Sequence, residues 1–165
     1  MVVQHRKNYI SWDECLMRMA LIIAQRSKDP STQAGAVITT QDHVVVGIGY
    51  NGFPRGIDND TFPWDREGSL EETKYAYICH AEENAIYNAN SKTHGCKVYA
   101  TLFPCNECAK TIIQNGIVEV IYQSDKYNDT PACRASRRML DAAGVFCRPY
   151  ISNWENEQHV CLKSS

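Results

Sequence analysis

The chain has 165 residues, of which 44% are hydrophobic and 22% are charged, and this composition fits one globular domain. Its formal charge of −2 argues against a general nucleic-acid-binding surface, because such a surface needs a basic stripe that displaces phosphate counterions. No apolar run approaches the roughly 20 residues of a membrane span, and the first residues have no signal-peptide core. We therefore expect a cytoplasmic protein with neither a nucleic-acid nor a membrane partner.

The first predicted element is a helix that starts after Ser11. Ser11 and Glu14 have capping-box spacing, in which each side chain bonds the other residue's backbone N–H. Apolar residues then follow at helical spacing until Pro30 ends the pattern. Two β-rich runs at residues 35–40 and 43–50, separated by a polar turn, predict a hairpin.

Residues 51–79 are rich in Gly, Pro, Asp and Asn and have weak periodicity, so we interpret them as a functional insertion. After the insertion, helices are predicted at 80–90, 104–116 and 132–144, and strands at 96–102, 117–123 and 145–150. A hairpin followed by alternating helices and strands predicts a three-layer α/β/α sandwich with a mixed, roughly five-stranded sheet. We expect one domain over 1–165, with its core at about 10–150 and a tail at 151–165.

Two predicted helices begin with residues that bind transition metals. His80 opens one helix, and Cys105 and Cys108 lie on one face of the first turn of another. If both helices start at the same sheet edge, the three side chains converge, and the helix N-termini favour the thiolate form of both cysteines. Three ligands leave the fourth position of a tetrahedral Zn²⁺ open to water, which is the arrangement of a catalytic zinc site.

Glu82 is expected near that water without being a ligand. Zinc lowers the pKa of bound water from about 16 to about 7, and a nearby carboxylate can move a proton to a ring nitrogen and then to a leaving amine. H-x-E followed by P-C-x-x-C is the signature of zinc-dependent deaminases, and the chain has HAE at 80–82 and PCNEC at 104–108.

Two other interpretations of the C-x-x-C pair stay open. A redox dithiol would share the strand–C-x-x-C–helix context, but it would give His80 and Glu82 no role. A closed structural zinc site would need a fourth ligand and would also leave Glu82 unused. The nearest candidates for that fourth ligand are Cys79, His94 and Cys96. The chain has eight cysteines, and we expect most of those outside the motif to be buried thiols.

Beyond the signature, the chain resembles the deoxycytidylate (dCMP) deaminases of the cytidine deaminase superfamily. The similar blocks are SKDPSTQAGAVI, GIGYNG, HAEENAI, TLFPCNECAK and SDKYND, which span roughly residues 25–130. The resemblance implies hydrolysis of dCMP to dUMP and ammonia, which supplies dUMP for thymidylate synthesis. It implies Zn²⁺ on His80, Cys105 and Cys108, with Glu82 as the proton shuttle. Within the superfamily, a free nucleoside, a free base or dCTP is the alternative substrate.

The resemblance also implies substrate contacts. The backbone N–H of Ala81 would hold the pyrimidine carbonyl, Asn51 would meet the deoxyribose, and Tyr127 would pack against the nucleotide. The phosphate pocket would consist of Arg26, Ser124 and Lys126. Some of these residues also have simpler interpretations, since Arg26 ends a helix, where a cation favours the dipole, and Asn51 starts a good turn dipeptide.

Family members are commonly homohexamers that dCTP activates and dTTP inhibits with Mg²⁺, and the resemblance implies the same here. Residues 49–60 resemble part of the effector site, with Gly49, Tyr50 and Gly52 as candidate contacts. Glu83 departs from the apolar or neutral residue expected of the family.

Two further sets of residues have simple structural interpretations. An exposed helix face is predicted for Arg134, Arg137 and Arg138. Packing is predicted for Tyr75, Tyr77 and Tyr87.

Overall fold

The computed structural model describes residues 3–152, and their strands and helices follow the predicted order. The strands are β1 (Gly35–Thr39), β2 (Val45–Tyr50), β3 (Lys97–Leu102), β4 (Glu119–Ser124) and β5 (Phe146–Pro149). The helices are α1 (Trp12–Ala24), α2 (Ala81–Tyr87), α3 (Asn106–Gln114) and α4 (Pro131–Ala142). Most of the predicted tail at 151–165 lies outside the described residues. None of the helices in residues 3–152 is long and apolar enough to cross a membrane.

The five strands form one mixed sheet in the order β2-β1-β3-β4-β5. Strand β1 runs antiparallel to both of its neighbours, whereas β3, β4 and β5 are parallel. Strands β2, β3 and β4 therefore point the same way, and their carboxyl ends lie at one edge of the sheet. The helices that follow parallel strands begin at this edge, which is where α/β sheets bind ligands.

Side chains along each strand alternate between the two faces of the sheet, as the pleat requires. Against α1, the sheet contributes Val37, Tyr99 and Ile121 to a cluster with Leu16, Met17 and Ala20. Against α2, α3 and α4, it contributes Ala36, Ile38, Val98 and Val120, which pack with Ala85, Ala109, Ile112 and Leu140. One helix on one face and three on the other confirm the predicted three-layer α/β/α sandwich.

Strand β2 lies unusually close to α2. A Cβ atom on Gly49 would lie 2.2 Å from the backbone nitrogen of Ala85 and 2.3 Å from the carbonyl oxygen of Ala81, which no side chain can tolerate. Gly49, a candidate effector contact, therefore has a packing role of its own. The close contact fixes the first turn of α2 against the carboxyl end of β2.

The start of α1 corrects part of the capping-box prediction. The Ser11 hydroxyl caps the helix by accepting from the Glu14 N–H at 3.1 Å, as predicted. The Glu14 carboxylate does not return this bond and instead bonds Arg18, Tyr150 and Ser152. A tertiary contact to the end of the described chain has replaced the local one, and it ties α1 to the residues that follow β5.

A second polar network joins the same helix to the sheet. The Asp13 carboxylate accepts from the Tyr99 hydroxyl at 2.8 Å and from both Nη atoms of Arg148 at 2.6 and 3.0 Å. Arg148 also donates to Glu119 at 2.8 Å. The Arg148 hydrogen bonds lower the pKa of Asp13 from its ordinary value.

We expect Asp13→Asn to lower the melting temperature by a few degrees at pH 7, and this deficit to shrink below about pH 4. Because the pKa of Asp13 is lower in the folded protein than in the unfolded chain, the unfolded chain takes up the proton first as the pH falls. The Asp13 carboxylate therefore stabilises the fold fully above its pKa in the unfolded chain. This stabilisation is lost as the pH falls through its pKa in the folded protein. Thermal unfolding between pH 7 and 3 measures this loss. Asp42→Asn, at an exposed turn position, is the control, and an Asp13→Asn deficit that did not change with pH would contradict the prediction.

Candidate active site

The metal-binding motif residues lie at the starts of two neighbouring helices. His80 is the N-cap of α2, Cys105 is the N-cap of α3, and Cys108 is the third helical residue of α3. Pro104 therefore lies before the helix rather than in its first turn, because Cys105 is still extended with ψ of 177°. Both helices start at the sheet edge defined by the carboxyl ends of β2 and β3, so their first turns face each other.

The side chains of His80, Cys105 and Cys108 converge as the sequence predicts. The Nδ1 atom of His80 is 3.3 Å from each of the two sulfurs, and all three donor atoms lie within 4.8 Å of one another. Zn–S and Zn–N bonds of about 2.3 and 2.0 Å in a tetrahedron place such atoms roughly 3.5 Å apart, so the set fits Zn²⁺. Within residues 3–152, the cluster contains three such residues, and neither Cys79, His94 nor Cys96 joins it as a fourth.

Charges within the cluster are strongly coupled. Hydrogen bonds from Cys108 and His80 lower the pKa of the Cys105 thiol to about 4, and the contact with Cys105 raises the pKa of His80 to about 9. The hydrogen bond to Cys105, together with burial, raises the pKa of Cys108 well above its usual value. A thiolate at Cys105 therefore opposes a second thiolate at Cys108, and the expectation that the helix starts favour both thiolates stays a prediction.

Two carboxylates of α2 adjoin the cluster in different ways. Glu82 is buried, with its Oε2 atom 3.5 Å from the Cys108 sulfur, and burial raises its pKa. Glu83 points back along the helix and accepts the backbone N–H of His80 at 3.1 Å. Glu83, which departs from the family pattern, thus holds the backbone of His80 as the returning half of a capping box.

The cluster opens into a cavity of about 350 Å³. Its charged and polar lining includes Asp29, Asn51, Arg66, Lys74, His80 and Glu82. Its apolar walls include Ile78, Leu102, Phe103 and Ala132. A small-molecule site of this kind has mostly apolar walls and a few convergent polar groups.

Only some of the residues predicted to bind substrate line this cavity. Asn51, Ala81 and Tyr127 line it, and the Ala81 N–H has no partner within its own helix because it occupies the first helical position. Three predicted phosphate contacts are not among the lining residues, namely Arg26, Ser124 and Lys126. Lys126 lies close by, with its ammonium 5.0 Å from the centre of the Tyr127 ring.

A buried ion pair in the cavity wall was not found from the sequence. Lys74, in the insertion, donates to both carboxylate oxygens of Asp29 at 2.8 and 2.6 Å, and the two residues are only 4% and 2% exposed. Asp29 also accepts the N–H groups of Ser31 and Thr32. The pair therefore fixes the loop between α1 and β1 at the edge of the cavity.

Asn51 belongs to the same network. Its side-chain oxygen accepts the Ala34 N–H at 2.8 Å, and its amide nitrogen donates to the Thr32 carbonyl at 2.9 Å and to Asp29 at 3.3 Å. The residue after β2 is thereby locked to the residues before β1. Its position beside the cavity is set by the fold, whatever it contacts in the substrate.

The arginines of α4 do not all lie on an exposed face as predicted. Arg137 stacks on Phe103, with its guanidinium carbon 4.0 Å from the ring centre. It also donates to Asp125 at 3.0 Å and to Asn128 at 2.9 Å. Arg137 therefore supports a wall of the cavity and holds the loop that carries Tyr127.

The aromatic residues of the insertion form a cluster, in which Phe53 lies 4.2 Å from Trp64 and Phe62 packs edge-on against Tyr77 at 5.0 Å between ring centres. The predicted packing role is confirmed for Tyr77. It is wrong for Tyr75 and Tyr87, whose side chains are 53% and 67% exposed.

Comparison with known proteins agrees with this geometry. Residues 10–124 match the family model described as the cytidine and deoxycytidylate deaminase zinc-binding region. The chain is 51% identical over 148 residues to deoxycytidylate deaminase of Homo sapiens, covering 88% of this chain and 83% of the human protein. It is 53% identical over 153 residues to probable deoxycytidylate deaminase of Drosophila melanogaster, covering 88% and 75%.

A solved structure shares the fold at lower identity. The dCMP deaminase of cyanophage S-TIM5, solved in complex with dCMP and dUMP, superposes with a TM-score of 0.68 at 22% identity, covering 88% of this chain and 99% of the phage protein. The extent of the family match and the identity to the curated relatives together identify the family. The chain belongs to the cytidine and deoxycytidylate deaminases.

Proposed function

We propose that this protein hydrolyses dCMP to dUMP and ammonia. The observation that carries the proposal is the convergence of His80, Cys105 and Cys108 beside a buried Glu82 that is not part of the donor set, at a cavity suited to a small molecule. Identity above 50% to the human deoxycytidylate deaminase and to a probable deoxycytidylate deaminase of Drosophila melanogaster supports the choice of dCMP within the family.

Each residue has a distinct task in the proposed reaction. His80 Nδ1 and the sulfurs of Cys105 and Cys108 would hold Zn²⁺, which would supply the Lewis acid that makes water acidic near neutral pH. The Glu82 carboxylate would take a proton from the attacking water and deliver it to N3 of the cytosine ring. It would then carry the second proton to the amino group as the bond from C4 to nitrogen breaks and ammonia leaves.

The substrate contacts that belong to this proposal are those at the cavity. The Ala81 N–H would donate to the pyrimidine carbonyl, Asn51 would meet the deoxyribose, and Tyr127 would pack against the nucleotide. Support comes from the positions of all three as lining residues. Arg26, Ser124 and Lys126 remain the phosphate contacts predicted by resemblance.

We further propose that dCTP activates and dTTP, with Mg²⁺, inhibits the enzyme near Gly49, Tyr50 and Gly52, and that the chain forms a homohexamer. The family resemblance supports both proposals, and exposed apolar side chains such as Ile22, at 60% exposure, are available for subunit contacts. We also propose that the protein works in the cytoplasm, where a reducing environment keeps the thiols of Cys105 and Cys108 available for zinc.

Steady-state ammonia release on protein of known zinc content tests the proposal. We expect dCMP to be preferred over deoxycytidine, cytosine and dCTP, and turnover to rise with dCTP and fall with dTTP and Mg²⁺. Preference for another of these substrates would assign the chain to a different activity within the family. If dCMP turnover changes with neither dCTP nor dTTP, the regulatory proposal is wrong and the proposed deamination still holds. Light scattering of the same samples measures the oligomeric state.

A further inference from the structure

The charges that line the cavity do not all have a partner within the described chain. Lys74 is neutralised by Asp29 through two short hydrogen bonds, so this pair contributes no net charge. Arg66 also lines the cavity, and no carboxylate in residues 3–152 lies within salt-bridge distance of it. Arg66 is therefore an uncompensated cation at the wall of the site.

The surroundings of Arg66 suit an anion with several oxygens. Its Nε atom donates to the Tyr75 hydroxyl at 3.2 Å, and Tyr75, Tyr127 and Thr32 all line the same cavity. A guanidinium has five N–H donors, of which this contact uses one. The two terminal nitrogens of the exposed side chain are thus left to form the paired hydrogen bonds with which arginine binds phosphate.

A nucleotide needs such a group for an electrostatic reason. Its 5′-phosphate carries up to two negative charges at neutral pH, and removing a charge from water without a counter-charge is costly. The ammonium of Lys74 is committed to Asp29, so this pair offers the phosphate no net positive charge. Arg26 and Lys126 are exposed and are not among the residues that line the cavity, whereas Arg66 is.

We propose that Arg66, in the insertion at residues 51–79, binds the 5′-phosphate of the substrate and makes the site select a nucleotide over a nucleoside. The inference rests on the proposed deamination of dCMP and adds to it the residue that sets this selectivity. Tyr75 holds the guanidinium through its hydroxyl. The insertion thereby supplies both the buried Lys74, which holds the cavity wall, and the exposed Arg66, which binds the negatively charged 5′-phosphate.

The test compares kcat/KM for dCMP and for deoxycytidine in the wild type, Arg66→Gln, Arg26→Gln and Arg138→Gln. Arg138 is an exposed arginine of α4 that is not among the cavity-lining residues, so its replacement is the control. For Arg66→Gln, we expect kcat/KM for dCMP to fall about 10- to 100-fold, mainly through KM, with deoxycytidine changed less than about threefold. Calorimetric binding of dUMP should weaken by the same factor, and that of deoxyuridine should not.

The outcomes separate this inference from the function on which it rests. A wild type that does not turn over dCMP overturns both. An active wild type with an unchanged ratio of dCMP to deoxycytidine in Arg66→Gln overturns the role of Arg66 alone. A ratio of kcat/KM for dCMP to that for deoxycytidine that falls in Arg26→Gln but not in Arg66→Gln also overturns the role of Arg66. That result would assign phosphate binding to the residues predicted by the family resemblance.

Discussion

Replacing Glu82 by glutamine is expected to lower kcat for dCMP by about 10³-fold or more while one zinc per chain is retained. The amide keeps the shape of the side chain, but it cannot take a proton from water and return it to the ring and the leaving amine. Glu82 lies 3.5 Å from the sulfur of Cys108 and is not one of the three clustered donors, so the change should leave metal binding intact.

Ammonia release and zinc analysis of the same preparation measure this separation. Glu107→Gln is the matched control, because Glu107 lies between the two cysteines in sequence but has an exposed side chain paired with Lys110. It should keep near-native turnover. Unlike Glu82→Gln, Cys105→Ser should lose the bound zinc, because it removes one of the three metal ligands. A Glu82→Gln protein with full zinc and near-native turnover would remove Glu82 from the chemistry.

The metal cluster could be predicted because local and global rules agree on it. The spacing of Cys105 and Cys108 sets one helix face, and the order of strands and helices brings the start of α3 beside that of α2. The fold class followed from the same alternation of elements. The position of a motif at a helix start can be predicted without knowing distant contacts, because the parallel β–α connections place all such helix starts at one edge of the sheet.

The remainder of the cavity depends on contacts that no periodicity encodes. Asp29 and Lys74 are 45 residues apart, and Lys74 belongs to a 3₁₀ turn, Lys74–Ala76, within an insertion of weak periodicity. Helical spacing alone predicts an exposed face for Arg137, because it does not reveal that Phe103 and Asp125 lie beside this side chain. The family resemblance predicts Arg26 and Lys126 as the cations that contact the phosphate, whereas the arginine and lysine that line the cavity are Arg66 and Lys74.

Replacing Lys74 by methionine should lower the free energy of unfolding by about 3–5 kcal/mol, which is the second large effect that we expect. The change leaves the carboxylate of Asp29 almost fully buried without its cation, although Ser31, Thr32 and Asn51 still donate to it. Urea or guanidinium denaturation of the two proteins measures the difference. Lys110→Met, which breaks an exposed pair with Glu107, should change stability by less than about 1 kcal/mol.

Adding Asp29→Asn to Lys74→Met should restore part of the lost stability, because it removes the unpaired charge. The N–H groups of Ser31 and Thr32 both bond one oxygen of Asp29, and the oxygen of an asparagine can accept the same two bonds. The double variant should therefore be more stable than Lys74→Met alone, a result that simple loss of packing at Lys74 would not give. If Lys74→Met stays within about 1 kcal/mol of the wild type, the ion pair does not hold this wall, and the loop between α1 and β1 must be positioned by Asn51 and the backbone contacts of Ala34.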